Sequence, residues 1–358
     1  MDARENAKAL IGKDEPERIG FFDSFWGELS KKWRDEGHVK EGVACDLFDT
    51  DIVTVGGWFD SLPYPGVQEL VEETDEWKIV RNGAGASFKW WKNKSGTPEH
   101  IDFRMADRDV WERDYRSRLL GLDESRLNLE QAKKNADGWK NGSKFAVYGD
   151  LCIWELFRRS AGDVRMFESI AEDPEWVRDF NRVYTDFYIA HFTKLMDECG
   201  VPDGVYLYDD LGYSRGLFCS PKALRELYFP FYKELVDFIH SKGAYALLHT
   251  CGGIEEALPM IVEAGFDSLN PMEVKAGCDA VRFAEKYGDR LAFVGGFDAR
   301  VLESGDIPLI KREVKKYMTD MKSVGARFFF GSDHSCSGNV EYASYRAAYE
   351  TYREHMAY

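Results

Sequence analysis

The chain has 358 residues, with 47 Lys and Arg against 63 Asp and Glu and a formal net charge of -16. Recognition of a nucleic-acid backbone depends on positive charge, so this balance argues against nucleic acid as the main partner. There is no apolar run of membrane-spanning length, and the opening MDARENAKALIGKD lacks a signal-peptide hydrophobic region. Its seven cysteines are scattered rather than arranged as a secreted disulfide scaffold, so a cytoplasmic protein with mostly free thiols and no membrane partner is expected. The length suits one barrel of roughly 250 residues with additions, or two domains.

In chain order, residues 2–41 read as helix-like in their latter part, where Phe21, Phe22, Phe25, Trp26, Leu29 and Trp33 form an apolar stripe at three and four spacing. Phe48–Val55 reads as the first strand, followed by Gly56-Gly57 and an exposed loop, Trp58–Gly66. Trp77–Phe103 alternates with period two and contains the turn pairs Asn82-Gly83 and Ser95-Gly96, which predicts a small antiparallel meander inserted over one end of the main body. The charged stretch Arg108–Gly142 reads as helix with Asp107 as a cap, and Lys144–Tyr148 as the next strand. Asp173-Pro174 starts a helix running through Phe192 toward Gly200, with Asp173 as cap and Pro174 at the first helical position.

Strand and helix then alternate. Strands are expected at Gly204–Tyr208, at the run ending on His249, at Ser268-Leu269, at Leu291–Val294 and at Arg327–Phe330. Helices are expected from Ser220-Pro221 with a kink at Pro230, then over Phe231–Ser241, Ile254–Ala264, Ala276–Tyr287, Pro308–Ser323 and Val340–His355. This cadence makes either a doubly wound sheet or a closed barrel. No G-x-G-x-x-G follows the first strand, and polar residues recur at many strand ends, as they do at the mouth of a barrel. The expectation is a single α/β domain over residues 1–358, a (β/α)8 TIM barrel. Residues 1–142 would hold the N-terminal helical extension, first strand and insertion, and residues 143–358 the main barrel units.

The richest strand end is LLHTCGG, where His249 and Cys251 leave together. Imidazole and thiolate are zinc ligands, but a zinc site needs three or four donors, and a lone His-x-Cys is also compatible with ordinary core residues. Tyr208-Asp209-Asp210, Asn270-Pro271-Met272-Glu273, Gly295-Gly296-Phe297-Asp298 and Gly331-Ser332-Asp333-His334 follow similar apolar runs. For each carboxylate, capping or a structural hydrogen bond is the competing explanation.

Taken together, YLYDDLGYSRGLFCSP, LLHTCGG, DSLNPMEVKAG and LAFVGGFDAR resemble the uroporphyrinogen decarboxylase superfamily, and within it the zinc-dependent corrinoid (cobalamin) methyltransferases. The resemblance spans nearly the whole chain. It implies a (β/α)8 barrel with its cavity at the strand C-terminal ends, His249 and Cys251 as two zinc ligands, and a third from the last turn. Cys336 is the first choice there and His334 the second, with Asp333 and Glu273 as further candidates. It also implies Asp210, Glu273, Asp298 and His249 as catalytic residues, with Tyr208, Asn270 and Gly296 at the cofactor-facing wall.

The function so implied is transfer of a methyl group to or from the corrinoid of a separate corrinoid protein, with a thiol, tetrahydrofolate or another small molecule as the other partner. No D-x-H-x-x-G pattern is present, so the corrinoid is supplied in trans. Relatives are monomers or homodimers, and either state is compatible. The alternatives are a decarboxylase-type lyase and a noncatalytic member of the same family. The porphyrinogen decarboxylases carry an arginine-rich N-terminal signature, which FFDSFWGELSKKW lacks.

Overall fold

The computed structural model describes residues 1–40, 42–93 and 96–358. Eight strands form one all-parallel sheet: β1 (Gly20–Phe21), β2 (Ile52–Gly56), β3 (Phe145–Leu151), β4 (Gly204–Tyr208), β5 (Tyr245–Thr250), β6 (Ser268–Pro271), β7 (Ala292–Val294) and β8 (Phe328–Phe330). Each of β2 to β7 hydrogen-bonds the next strand in the chain, and β1 pairs with β8. The two edges meet where the Asp51 amide donates to the Phe21 carbonyl at 2.8 Å and the Phe21 amide donates to the Asp51 carboxylate at 2.9 Å. Arg18 holds that carboxylate with both terminal nitrogens, at 2.7 and 2.8 Å. The result is the expected (β/α)8 barrel.

Side chains alternate across each strand. Phe145, Val147, Tyr206, Leu247, Ala292, Val294 and Phe329 fill the barrel interior, while Leu207, Ala246, Leu248 and Phe293 face the surrounding helices. The helix Ala3–Gly12 adds Ala7, Leu10 and Ile11 to the interior cluster and so plugs one mouth. It starts in a capping box, Asp2 accepting from the Glu5 amide while Glu5 accepts from the Asp2 amide. The strand C-terminal ends are at the opposite mouth.

The inserted sheet has four antiparallel strands, Gln68–Glu73, Trp77–Asn82, Ala86–Trp91 and Glu99–Phe103. Asn82 makes the turn between its second and third strands by accepting from the amides of Ala84 and Ala86. The other expected turn includes Ser95, which lies outside the described residues.

Two expectations change. The apolar stripe from Phe21 to Trp33 is not one helix: Gly20–Phe21 is the first barrel strand, and helix resumes only over Gly27–Asp35. Phe21 and Phe25 are apolar for different neighbours, Phe21 packing on Phe330 and Tyr352 and Phe25 on Trp33, Phe48 and Tyr345. The charged stretch from Arg108 is likewise interrupted, with short turns over Arg108–Val110, Trp111–Tyr115, Arg116–Leu119 and Glu124–Arg126 before a regular helix at Leu129–Lys140. No helix among the described residues is long and apolar enough to cross a membrane.

Candidate functional site

Strand register builds the site. Tyr208 on β4 pairs with His249 on β5, and His249 pairs with Asn270 on β6, so the three residues lie in one row at the open mouth. Two residues beyond that row, Asp210 and Cys251 come level. The Cys251 amide donates to Asp210 Oδ1 at 3.0 Å, Cys251 Sγ lies 3.4 Å from His249 Nε2, and His249 Nε2 lies 3.8 Å from Asp210 Oδ1. The three donor atoms are within 4.8 Å of one another.

Asn270 sets the histidine tautomer. Its Nδ2 donates to the Val294 carbonyl at 2.9 Å, which turns Oδ1 toward His249 Nδ1 at 2.5 Å. An amide oxygen can only accept, so Nδ1 carries the proton and Nε2 presents its lone pair to Cys251 and Asp210. Burial pushes the Cys251 thiol well above its ordinary range, and the charges of Asp210 and Glu273 push in the same direction. The Tyr208 ring covers one side of the imidazole, 5.2 Å between centroids, and burial raises its phenol to about 12.

The donor spacing fits a small tetrahedral cation. Metal–ligand bonds of about 2.0–2.3 Å at tetrahedral angles put donors roughly 3.3–3.8 Å apart. The two separations centred on Nε2, 3.4 and 3.8 Å, fall in that range. One nitrogen, one sulfur and one oxygen donor leave a fourth position for a reactant.

The glycines after Cys251 are structural requirements. Gly252 has φ +84°, and a Cβ there would fall 2.1 Å from the backbone of Gly212. The close crossing admits a short hairpin, Gly212-Tyr213 against Gly216-Leu217, whose Tyr213 carbonyl accepts from the Gly253 amide at 2.8 Å.

The other sequence candidates are placed as follows. Glu273 is buried and accepts from the Gly252 amide at 2.8 Å, with Lys275 at 3.0 Å on its second oxygen. Asp333 accepts from the amides of Val274 and Ala299, both at 2.8 Å, joining three neighbouring strand exits. Asp298 caps the short helix Ala299–Glu303 and is gripped by the Arg300 guanidinium. Gly296, at φ +84°, sits where a Cβ would meet Tyr317 and Ala280, and the neighbouring Gly295 packs against the carbonyls of Ser332 and Pro271.

Cys336 and His334 occupy a different part of the rim. Cys336 is fully buried, with Sγ 3.5 Å from Ser332 Oγ and 4.0 Å from Asp23 Oδ2. Asp23 also accepts from the hydroxyls of Ser332 at 2.5 Å and Tyr345 at 2.6 Å, and burial raises its carboxyl to about 6. His334 Nδ1 is 3.2 Å from the Ser335 carbonyl, and its ring packs against Trp26. Neither residue belongs to the three-donor group, the one cluster of this kind among the described residues. Asp209 turns outward from the mouth, accepting from the Trp154 and Glu155 amides and from Tyr232, and burial raises it to about 8.

Asp210 as a donor and Asn270 as the residue orienting His249 were not singled out for those roles in the sequence. The available signal was register: if β4 and β5 are neighbours with Tyr208 beside His249, Asp210 must fall beside Cys251.

The sequence model for uroporphyrinogen decarboxylase (URO-D) matches residues 158–355. No curated protein matches the chain. Among solved structures, a methyltransferase from Methanosarcina mazei is similar over 99% of this chain and 99% of its own, at 14% identity and a TM-score of 0.67. A protein of Listeria monocytogenes described as a vitamin-B12 independent methionine synthase is similar over 64% of this chain and 68% of its own, at 13% identity and a TM-score of 0.39. A family 2 AP endonuclease from Brucella melitensis covers 62% of this chain and 93% of its own, at 14% identity and a TM-score of 0.31.

Proposed function

The chain belongs to the uroporphyrinogen decarboxylase family, and from that premise we propose that it is a zinc-dependent methyltransferase, moving a methyl group to or from the corrinoid of a separate cytoplasmic protein. The observation that carries this reading is the convergence of Asp210, His249 and Cys251, with Asn270 fixing the imidazole so that Nε2 faces the other two donors. The whole-length likeness in fold to a methyltransferase supports it.

Asp210, His249 and Cys251 would hold the zinc; Cys336 and His334, the other ligand candidates, belong to a separate cluster in this arrangement. When bound, zinc supplies a Lewis acid that keeps a substrate thiol ionised near neutral pH, or polarises a substrate oxygen or nitrogen. The protein's own groups do the positioning. Asn270 keeps the Nδ1 proton on His249 and so keeps Nε2 available. The Cys251 amide holds Asp210 in place, and Glu273 anchors the Gly252 amide, fixing the turn that presents Cys251. Tyr208 and Asn270 would belong to the wall facing the incoming corrinoid, with Asp298 at its edge, while Gly296 packs behind it against Tyr317 and Ala280. The second reactant is a thiol, tetrahydrofolate or another small molecule.

One observation weighs against the lyase alternative. A polycarboxylate substrate needs several cationic partners, yet of Arg158, Arg159 and Arg215 the first pairs with Glu155 and Asp163 and the second with Glu155.

Elemental analysis of protein purified without added metal tests the reading. Near one zinc per chain is expected in the wild type, almost none in Cys251→Ala, and a reduced content in Asp210→Asn. Absence of metal from the wild type after a zinc-readdition control would overturn it. With zinc in place, methylcobalamin and 2-mercaptoethanol then report methyl transfer through the change in the cobalamin visible spectrum.

A further inference from the structure

The inserted sheet roofs a cavity that the three-donor group does not use. It has a volume of about 270 Å³ and lies between that sheet, the loop after β2 and the helix Ile153–Ala161. Phe59, Phe88, Leu156 and Trp90 are among the residues that make its walls apolar, and Trp58 stands at its mouth. Both tryptophans are large and partly solvent-exposed, 53% for Trp58 and 43% for Trp90. Exposed aromatic faces beside an apolar hollow are surface that a flat ligand would remove from water.

Two side-chain atoms of residues lining this wall make no well-formed hydrogen bond, His100 Nδ1, which lies 3.4 Å from Asp163, and one oxygen of Asp150. Asp150, at the C-terminal part of β3, is 2% exposed; its Oδ1 accepts from the Leu151 amide at 2.8 Å and the Phe59 amide also faces the carboxylate, while Oδ2 is buried with no well-formed hydrogen bond among the described residues. Burial pushes this carboxyl well above the usual carboxylate range. A buried acceptor without a full hydrogen bond destabilises the wall, and a ligand hydroxyl donating to it would relieve that. Arg158 and Arg159 also line the cavity, but their pairing with Glu155 and Asp163 means it does not select for an anion.

We propose that this cavity binds a planar aromatic small molecule carrying a hydroxyl group, the ring between Trp58, Trp90 and Phe88 and the hydroxyl donating to Asp150. The cavity adjoins the rim group through two tilted ring contacts: Trp58 lies 5.3 Å from Tyr208, and Tyr208 lies 5.2 Å from His249. That the occupant is also the small-molecule reactant rests on the methyltransferase reading; its binding does not.

The test is calorimetric titration of the full chain with 2-naphthol, naphthalene and decahydro-2-naphthol, with zinc content measured on the same preparation. 2-Naphthol is expected to bind with a Kd below about 1 mM, and roughly tenfold more tightly than either comparator, since one lacks the oxygen and the other the aromatic plane. Trp90→Ala, an exposed position, should weaken 2-naphthol about tenfold or more. Asp150→Ala should bring 2-naphthol and naphthalene to similar affinity; if that variant fails to fold, Trp90→Ala and the comparison of the three probes decide the matter. No binding of 2-naphthol at 1 mM, equal binding of all three probes, or an unchanged Kd in Trp90→Ala would overturn the proposal. A protein that binds zinc but not 2-naphthol would fail this inference alone, and one that binds 2-naphthol but not zinc would fail the methyltransferase reading alone.

Discussion

Two parts of the barrel rim carry similar residues and treat them differently. Beyond β4 and β5, Asp210, His249 and Cys251 are partly exposed and their donor atoms point at one another. Beyond β1 and β8, Asp23, Ser332 and Cys336 are buried, and the carboxylate is satisfied by Ser332, Tyr345 and the Ser24 amide. A cysteine beside an aspartate is a candidate metal-binding arrangement in the first place and a structural knot in the second. What separates them is the supply of hydroxyl and amide protons: Asp23 has enough to satisfy it, whereas the first group converges on acceptors that a cation would neutralise.

Exchanging single atoms in the two clusters should expose this difference. The largest effect is expected for Cys251→Ala and His249→Ala, which should abolish zinc content while thermal unfolding shows an intact barrel, because these side chains lie outside the packed layers. Asn270→Ala comes next: loss of the group orienting His249 should lower zinc affinity by about 10- to 100-fold in a chelator competition. Cys336→Ala should keep full zinc and instead lower stability by about 1–3 kcal/mol in denaturant unfolding, through the small void left in a buried site. Loss of zinc in Cys336→Ala would erase the distinction.

The smallest effect concerns pH. Asp23 is raised to about 6 by burial, so the native state holds a proton that the unfolded chain, near 4, has released. Its contribution favours folding fully below pH 4 and is lost as pH rises toward 6 and beyond. Asp23→Asn should flatten the stability profile across that interval while leaving zinc content unchanged.

The sequence made the repeating architecture legible from β3 onward, because each strand there is a short apolar run ending at glycine or polar residues. It hid β1, since two residues cannot establish a period, and Phe21 belongs to the same apolar stripe as the helix after it. At the site, His249 and Cys251 were visible as a pair on one strand. Asp210 was visible as a rim carboxylate, but its partnership with Cys251 depends on pairing between strands, and Asn270 acts through an amide whose orientation is set by Val294 on yet another strand. Asp150 was visible only as a polar residue at a strand exit, because an oxygen left without a full hydrogen bond is a property of the assembled wall.

The short first strand also bears on how a ribosome can deliver this protein. Its only partner strand among the described residues is β8, and Asp23 just beyond it is bonded to Ser332, 309 residues later in the chain. Domains are synthesised from the N-terminus, so Phe21 and its aromatic neighbours emerge early and wait through most of translation for the residues that cover them. The nascent chain therefore carries an uncovered aromatic segment until β8 leaves the exit tunnel, and a transcript truncated before β8 would yield an open sheet with a sticky edge rather than a smaller barrel.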